Sequence, residues 1–101
     1  LTPDTSVVNL EHILPLTPDS SWGKVSDKMM KHVNRIGNLT LIESEINGRL
    51  ASKNFDQKKT EFGKSNINIT KDLLIISKWT DIAIFDRQAK LAKIAVDIWK
   101  I

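Results

Sequence analysis

Val8-Asn9-Leu10-Glu11-His12-Ile13-Leu14-Pro15 is the stretch on which the reading of this chain turns. Its β-branched and apolar residues predict a strand over residues 5–14 that stops before Pro15, because proline cannot donate into a ladder. A second short strand is expected at 38–42, Asn-Leu-Thr-Leu-Ile, just after Gly37. The segment between them divides in two. Residues 15–23, with Pro18, Asp19, Ser20 and Ser21, read as a loop whose Trp22 plugs the core. Residues 24–35 read as a short helix beginning at Ser26, with Met29, Met30 and Val33 on its apolar face and Gly37 placed to end it.

Beyond the second strand the pattern turns helical. Ile46, Leu50 and Ala51 predict a helix over 44–54 with Ser44 as its N-cap. Phe55 to Gly63 continues as a second helical segment with Phe55 and Phe62 facing inward, and 63–68 is a loop. Thr70 can cap a short helix over 71–77, although Leu73 to Ile76 also suits a strand. Thr80 caps the last helix, in which Ile82, Phe85, Ala89, Ala92, Val96 and Trp99 form an apolar stripe opposite Asp86, Lys90, Lys93, Asp97 and Lys100. Arg87, close to that stripe, is expected in a buried ion pair, and Trp79 and Trp99 in the core. The fold class is therefore α+β: a small two-stranded, hairpin-like element with a helix beside it, surrounded by further helices.

With 101 residues, 41% of them hydrophobic and 27% charged, the chain is a single ordinary globular domain spanning 1–101. The longest apolar run, Leu73-Leu74-Ile75-Ile76, is far too short for a membrane span. There is no cysteine, which rules out disulfides and thiolate zinc and fits a reducing cytoplasm. The sequence begins Leu1-Thr2-Pro3 rather than with methionine, so a C-terminal fragment of a larger protein is expected. The net charge is +3, and the excess lies in residues 43–101, a basic tilt that permits nucleic-acid binding without demanding it.

Glu11, His12, Asn38 and Asn47 carry the chemistry. Strand, strand and helix in that order can bring their polar residues to one point, provided that Pro15 breaks the pleat enough to spare Glu11 and His12 from opposite faces. Imidazole titrates near neutral pH, so neutral His12 can take a proton from water attacking a phosphodiester. Glu11 offers a hard carboxylate oxygen to Mg²⁺ or Mn²⁺ and Asn47 an amide oxygen, leaving waters and the scissile phosphate to complete the shell. Asn38 can hold either the second imidazole nitrogen or a local backbone group. Each residue also has a plainer reading. His12 fits a core histidine, Asn38 a turn, Asn47 an exposed helix position and Glu11 a solvated strand position. Arg49 and Lys53, four apart on one helix face, together with Lys58, are candidates to meet phosphates, although a solvated face serves them equally well.

These residues also carry a resemblance. Glu11-His12-Ile13-Leu14-Pro15, Gly37-Asn38-Leu39-Thr40-Leu41 and Asn47, nine residues after Asn38, resemble the signature of HNH (His-Me finger, ββα-metal) endonucleases. More narrowly, with Asn47-Gly48-Arg49-Leu50-Ala51-Ser52-Lys53-Asn54-Phe55, Trp79, Arg87 and Ile98-Trp99, the chain resembles the C-terminal nuclease domain of GmrSD-type restriction enzymes, which act on modified phage DNA. The resemblance implies that His12 is the general base, Glu11 and Asn47 bind one Mg²⁺ or Mn²⁺, and Asn38 orients the base. It implies a DNA endonuclease or nickase that leaves a 5′-phosphate and a 3′-hydroxyl. Target choice would rest on an N-terminal targeting or nucleotide-hydrolysing domain in the same or a partner chain. The chain departs from the commonest HNH pattern in having Glu11 for aspartate and Asn47 for histidine, which leaves metal preference open. The alternatives are a degenerate nucleic-acid-binding module, an RNA-directed toxin nuclease, and a purely structural interaction domain.

Overall fold

Two strands form the centre of the fold in a computed structural model that describes residues 7–99, with side chains through residue 96. β1 (Val8–His12) pairs antiparallel with β2 (Leu39–Glu43), in a register that sets Leu10 against Leu41, Glu11 against Thr40 and His12 against Leu39. The expected first strand is thus shorter at both ends, and its positions 5 and 6 lie outside the described residues. The second strand is displaced by one residue, because Asn38 belongs to the 3-10 turn Ile36–Asn38 that precedes it.

Alternation along the ladder gives it one inner and one outer face. Glu11, Thr40 and Ile42 share the inner face, where Thr40 and Ile42 are buried. Leu10 and Leu41 lie on the outer face and stay exposed. The pleat remains regular through His12, so Glu11 and His12 fall on opposite faces of the ladder, contrary to the expectation that Pro15 would break it early enough. The chain bends only after His12, at Ile13 and Leu14, both fully buried.

Between the strands, the 3-10 turn Ser20–Trp22 is followed by α1 (Asp27–Met30), a single turn where a longer helix was expected. Its start is the expected one: Ser26 accepts a hydrogen bond from the Met29 amide. Gly37 does not cap it. A Cβ on Gly37 would stand 2.0 Å from the Ile84 carbonyl oxygen, so the glycine is there to let the 36–38 turn pack against the last helix.

α2 (Ser44–Asn47) follows β2 directly and spans only the first turn of the helix expected over 44–54; Ser44 is inside it rather than capping it. The remainder turns through Ala51, whose φ of +45° breaks the helix. α3 (Phe55–Phe62) opens with a full capping box between Asn54 and Gln57. α4 (Asn68–Lys71) and a 3-10 turn over Asp72–Ile75 replace the helix predicted at 71–77. Thr70 lies within α4, where its hydroxyl meets that of Thr40 at 2.7 Å.

α5 (Asp81–Trp99) is the long helix that the sequence predicts, with Thr80 accepting from the Ala83 amide at its start. Its buried face is different. Ile84 and Arg87 are buried, whereas Ile82 and Val96 of the predicted stripe are 67% and 62% exposed. Phe85 is 43% exposed and meets the edge of the His32 ring and the Arg35 guanidinium. Among the described residues no carboxylate forms an ion pair with the buried Arg87, contrary to expectation. Its guanidinium donates to the carbonyls of Gly37 and Leu39 and to Thr40 Oγ1, which ties α5 to the start of β2. Burial lowers its pKa to about 10. The core joins Ile13, Leu14, Ile42, Ile46, Leu50, Phe55, Phe62, Leu73, Trp79 and Ile84.

Candidate active site

The end of β1 carries the site. His12 is half-buried, and its Nε2 lies 3.1 Å from Asn34 Oδ1, in the turn after α1. An amide oxygen only accepts, so this contact places the proton on Nε2 and leaves Nδ1 with its lone pair. Among the described residues no hydrogen bond occupies Nδ1. A neutral histidine presented in this way is a competent proton acceptor.

Glu11 points inward to an unexpected partner. Lys58, from the middle of α3, has no exposed surface, and its Nζ lies 2.9 Å from Glu11 Oε2. The same ammonium donates to the carbonyl oxygens of His12 (2.8 Å) and Ile13 (3.1 Å). With Lys58, Oε2 makes a charge contact rather than a directed hydrogen bond, and no other donor reaches that buried atom. Burial pushes the Glu11 carboxyl upward, and the Lys58 charge opposes the shift. Burial likewise pulls the Lys58 ammonium down against the pull of Glu11.

Lys58 was expected to face phosphates. Instead it is a buried strut, because it shares a helix face with Phe55 and Phe62, both in the core. The spacing 55, 58, 62 was legible as that face. Asn34 left no such signal, since its role depends on how the loop returns to β1.

Asn38 is fully buried and braces the backbone rather than the imidazole. Its Oδ1 accepts from the Leu14 amide (2.8 Å) and Trp79 Nε1 (2.8 Å), and its Nδ2 donates to the carbonyls of Leu14 (3.0 Å) and Val33 (2.8 Å). Two donors and two acceptors exhaust the amide. Of the two roles open to Asn38, the geometry therefore matches the local backbone one: it fixes the bend immediately after His12.

Asn47 ends α2, a helix packed against both strands, and is half-buried. No hydrogen bond among the described residues engages its side chain. Arg49 is half-exposed and paired with Glu61 at 2.7 Å. Lys53 is exposed, and its carbonyl accepts from the indole of Trp22.

All-oxygen donors of this type are those a hard divalent ion takes. Among the described residues no three His, Cys, Asp or Glu side chains gather to cage a metal. Glu11 Oε2 is buried against the Lys58 ammonium, so of the donors predicted for a metal the other carboxylate oxygen of Glu11 and the amide oxygen of Asn47 are the ones left to hold it. No helix among the described residues is long and apolar enough to cross a membrane.

Comparison with protein families gives a match: the profile of the C-terminal domain of GmrSD restriction endonucleases covers residues 1–94. The chain belongs to that family, and so to a restriction-endonuclease type of nuclease. No curated protein matches it.

Proposed function

We propose that this domain is a metal-dependent DNA endonuclease or nickase of the HNH type, acting in restriction of foreign DNA. The observation that carries the reading is His12, held at Nε2 by Asn34 with Nδ1 open, one residue from the half-buried Glu11 carboxylate. His12 Nδ1 takes a proton from the water that attacks phosphorus. The bond from phosphorus to the 3′ oxygen breaks, the departing oxygen takes a proton from solvent water, and a 5′-phosphate and a 3′-hydroxyl result. Glu11 and Asn47 would hold one Mg²⁺ or Mn²⁺, which offsets charge on the phosphate and the departing oxygen. Arg49 and Lys53 lie on the exposed side and would meet the DNA backbone through charge alone. No set of base-reading side chains stands out, so choice of target falls to an N-terminal domain in the same or a partner chain.

Nicking of supercoiled plasmid in Mg²⁺, Mn²⁺ or EDTA tests the reading. Metal-dependent nicking should fall by about 10²–10⁴-fold in His12→Ala, the usual weight of a general base. Nicking that survives EDTA, or an unchanged His12→Ala, would refute it. Parallel RNA and DNA substrates decide between a DNA-cutting and an RNA-cutting enzyme.

A further inference from the structure

We propose that Lys58 is a positioning residue of the active site, whose ammonium fixes the backbone carrying His12 and the carboxylate of Glu11 in one arrangement. The inference rests on the reading of His12 as general base. A lysine with no exposed surface needs a reason to be buried, since removing an ammonium from water costs several kcal/mol unless its donors are met. Here three oxygens meet it: His12 O at 2.8 Å, Glu11 Oε2 at 2.9 Å and Ile13 O at 3.1 Å. Two of these are hydrogen bonds donated to the His12 and Ile13 carbonyls and the third is a charge contact with Glu11, so the ammonium engages three consecutive residues at the end of β1.

The choice of partners separates positioning from general stabilisation. The carbonyls of His12 and Ile13 lie where the strand stops and the chain bends, and the Ile13 amide donates to Asn38 O at 2.9 Å. Asn38 holds the next residue, Leu14, from the other side. Lys58 and Asn38 therefore grip the same bend at adjacent residues, and the bend sets the angle at which the imidazole leaves the strand. An apolar side chain of equal length would fill the space but leave the His12 and Ile13 carbonyls without this donor and the Glu11 carboxylate without its counter-charge. Supporting partners of this kind commonly account for about 10–100-fold in activity.

The test compares Lys58→Met with a chemically restored ammonium, well below the melting temperature of each protein. The chain has no cysteine, so Lys58→Cys can be alkylated at that position alone, in denaturant, and refolded. Bromoethylamine restores an ammonium there; iodoacetamide gives a neutral amide of similar bulk. For Lys58→Met and the neutral adduct, kcat for plasmid nicking should fall about 10–100-fold, with KM within about threefold. The aminoethylated protein should recover to within about threefold of the parent. Ring ¹⁵N spectra of His12 supply a readout apart from activity: one Nε2–H tautomer in the parent and the aminoethylated protein, a mixture of tautomers in the neutral proteins.

Should a folded Lys58→Met turn over like the parent, or should both adducts behave alike, the positioning role falls while the nuclease reading stands. A parent that shows no His12-dependent nicking removes that reading and this inference together. One further measurement needs no variant. In parent protein labelled with [¹⁵N]lysine, the Lys58 ammonium protons should exchange slowly enough to be seen and lie close to the Hα of His12 and Ile13. Ammonium protons that exchange at the solvent rate would overturn the proposal even if every variant failed to fold.

Discussion

The imidazole of His12 and the amide of Asn34 meet at 3.1 Å, Nε2 to Oδ1, across the whole loop that separates β1 from β2. Asn34 is exposed and sits in no regular element, yet it selects which nitrogen of the candidate base keeps a lone pair.

The first prediction follows from that contact. Asn34→Ala frees the ring and should lower kcat about tenfold without affecting thermal stability, because the residue is on the surface. Asn34→Asp retains an acceptor but adds a negative charge, which favours imidazolium. The acid limb of its pH–rate profile should therefore move to higher pH, since the base is protonated sooner. Profiles that superimpose on the parent would remove Asn34 from the site.

Asn38 should act through stability instead. Its amide makes four buried hydrogen bonds, to Leu14 twice, to Val33 and to Trp79. Asn38→Ala strands several of those partners and should cost at least about 3 kcal/mol, read as a lower urea midpoint. Activity per folded molecule is the discriminating quantity. A stable Asn38→Ala that has lost only turnover would mean that the residue touches the chemistry after all.

Much of the fold is legible in the sequence, though Ser44 and Thr70, read as caps, lie inside their helices. The ladder and the caps at Ser26 and Thr80 follow from local pattern. What failed was orientation about long elements. In α5 the stripe through Ile82, Ala89 and Val96 satisfies helical spacing, but the helix meets the ladder through Ile84 and Arg87, because Gly37 admits the Ile84 turn and Arg87 finds the carbonyls of residues 37 and 39. Periodicity identifies an apolar face; it does not say whether a neighbour exists to cover it. Lys58 was missed for the converse reason. Its charge suggested solvent, while its spacing from Phe55 placed it in the core, and its partners are backbone carbonyls that no side-chain pattern reveals.

Gly37 offers a sharp test of the packing between α5 and the turn before β2. A Cβ there would meet the Ile84 carbonyl oxygen at 2.0 Å and the carbonyl carbon at 2.9 Å, and backbone cannot move aside as a flexible side chain would. Gly37→Ala should destabilise by about 1–3 kcal/mol or more, seen as a lower melting temperature. The same shift would loosen the Arg87 bonds to residues 37 and 39. A Gly37→Ala protein as stable as the parent would show that α5 packs elsewhere.

The acid side of the stability curve should depend on Glu43, the last residue of β2. Its carboxylate accepts from the Asn66 amide (2.8 Å) and the Ser65 hydroxyl (2.6 Å), and these bonds hold its pKa below the ordinary glutamate range. A carboxyl whose folded pKa is depressed adds stability that is fully present above its unfolded value, about 4.3, and is lost as pH falls through the lower folded value. Glu43→Gln should therefore lower the urea midpoint at pH 7, and the gap to the parent should close progressively below about pH 4. Because Ser65 is buried, Ser65→Ala should reproduce most of this loss at pH 7 and show the same convergence in acid. A gap between Glu43→Gln and the parent that stays constant down to pH 3 would mean that the anchoring of β2 to the 65–66 loop does not depend on the charge of Glu43.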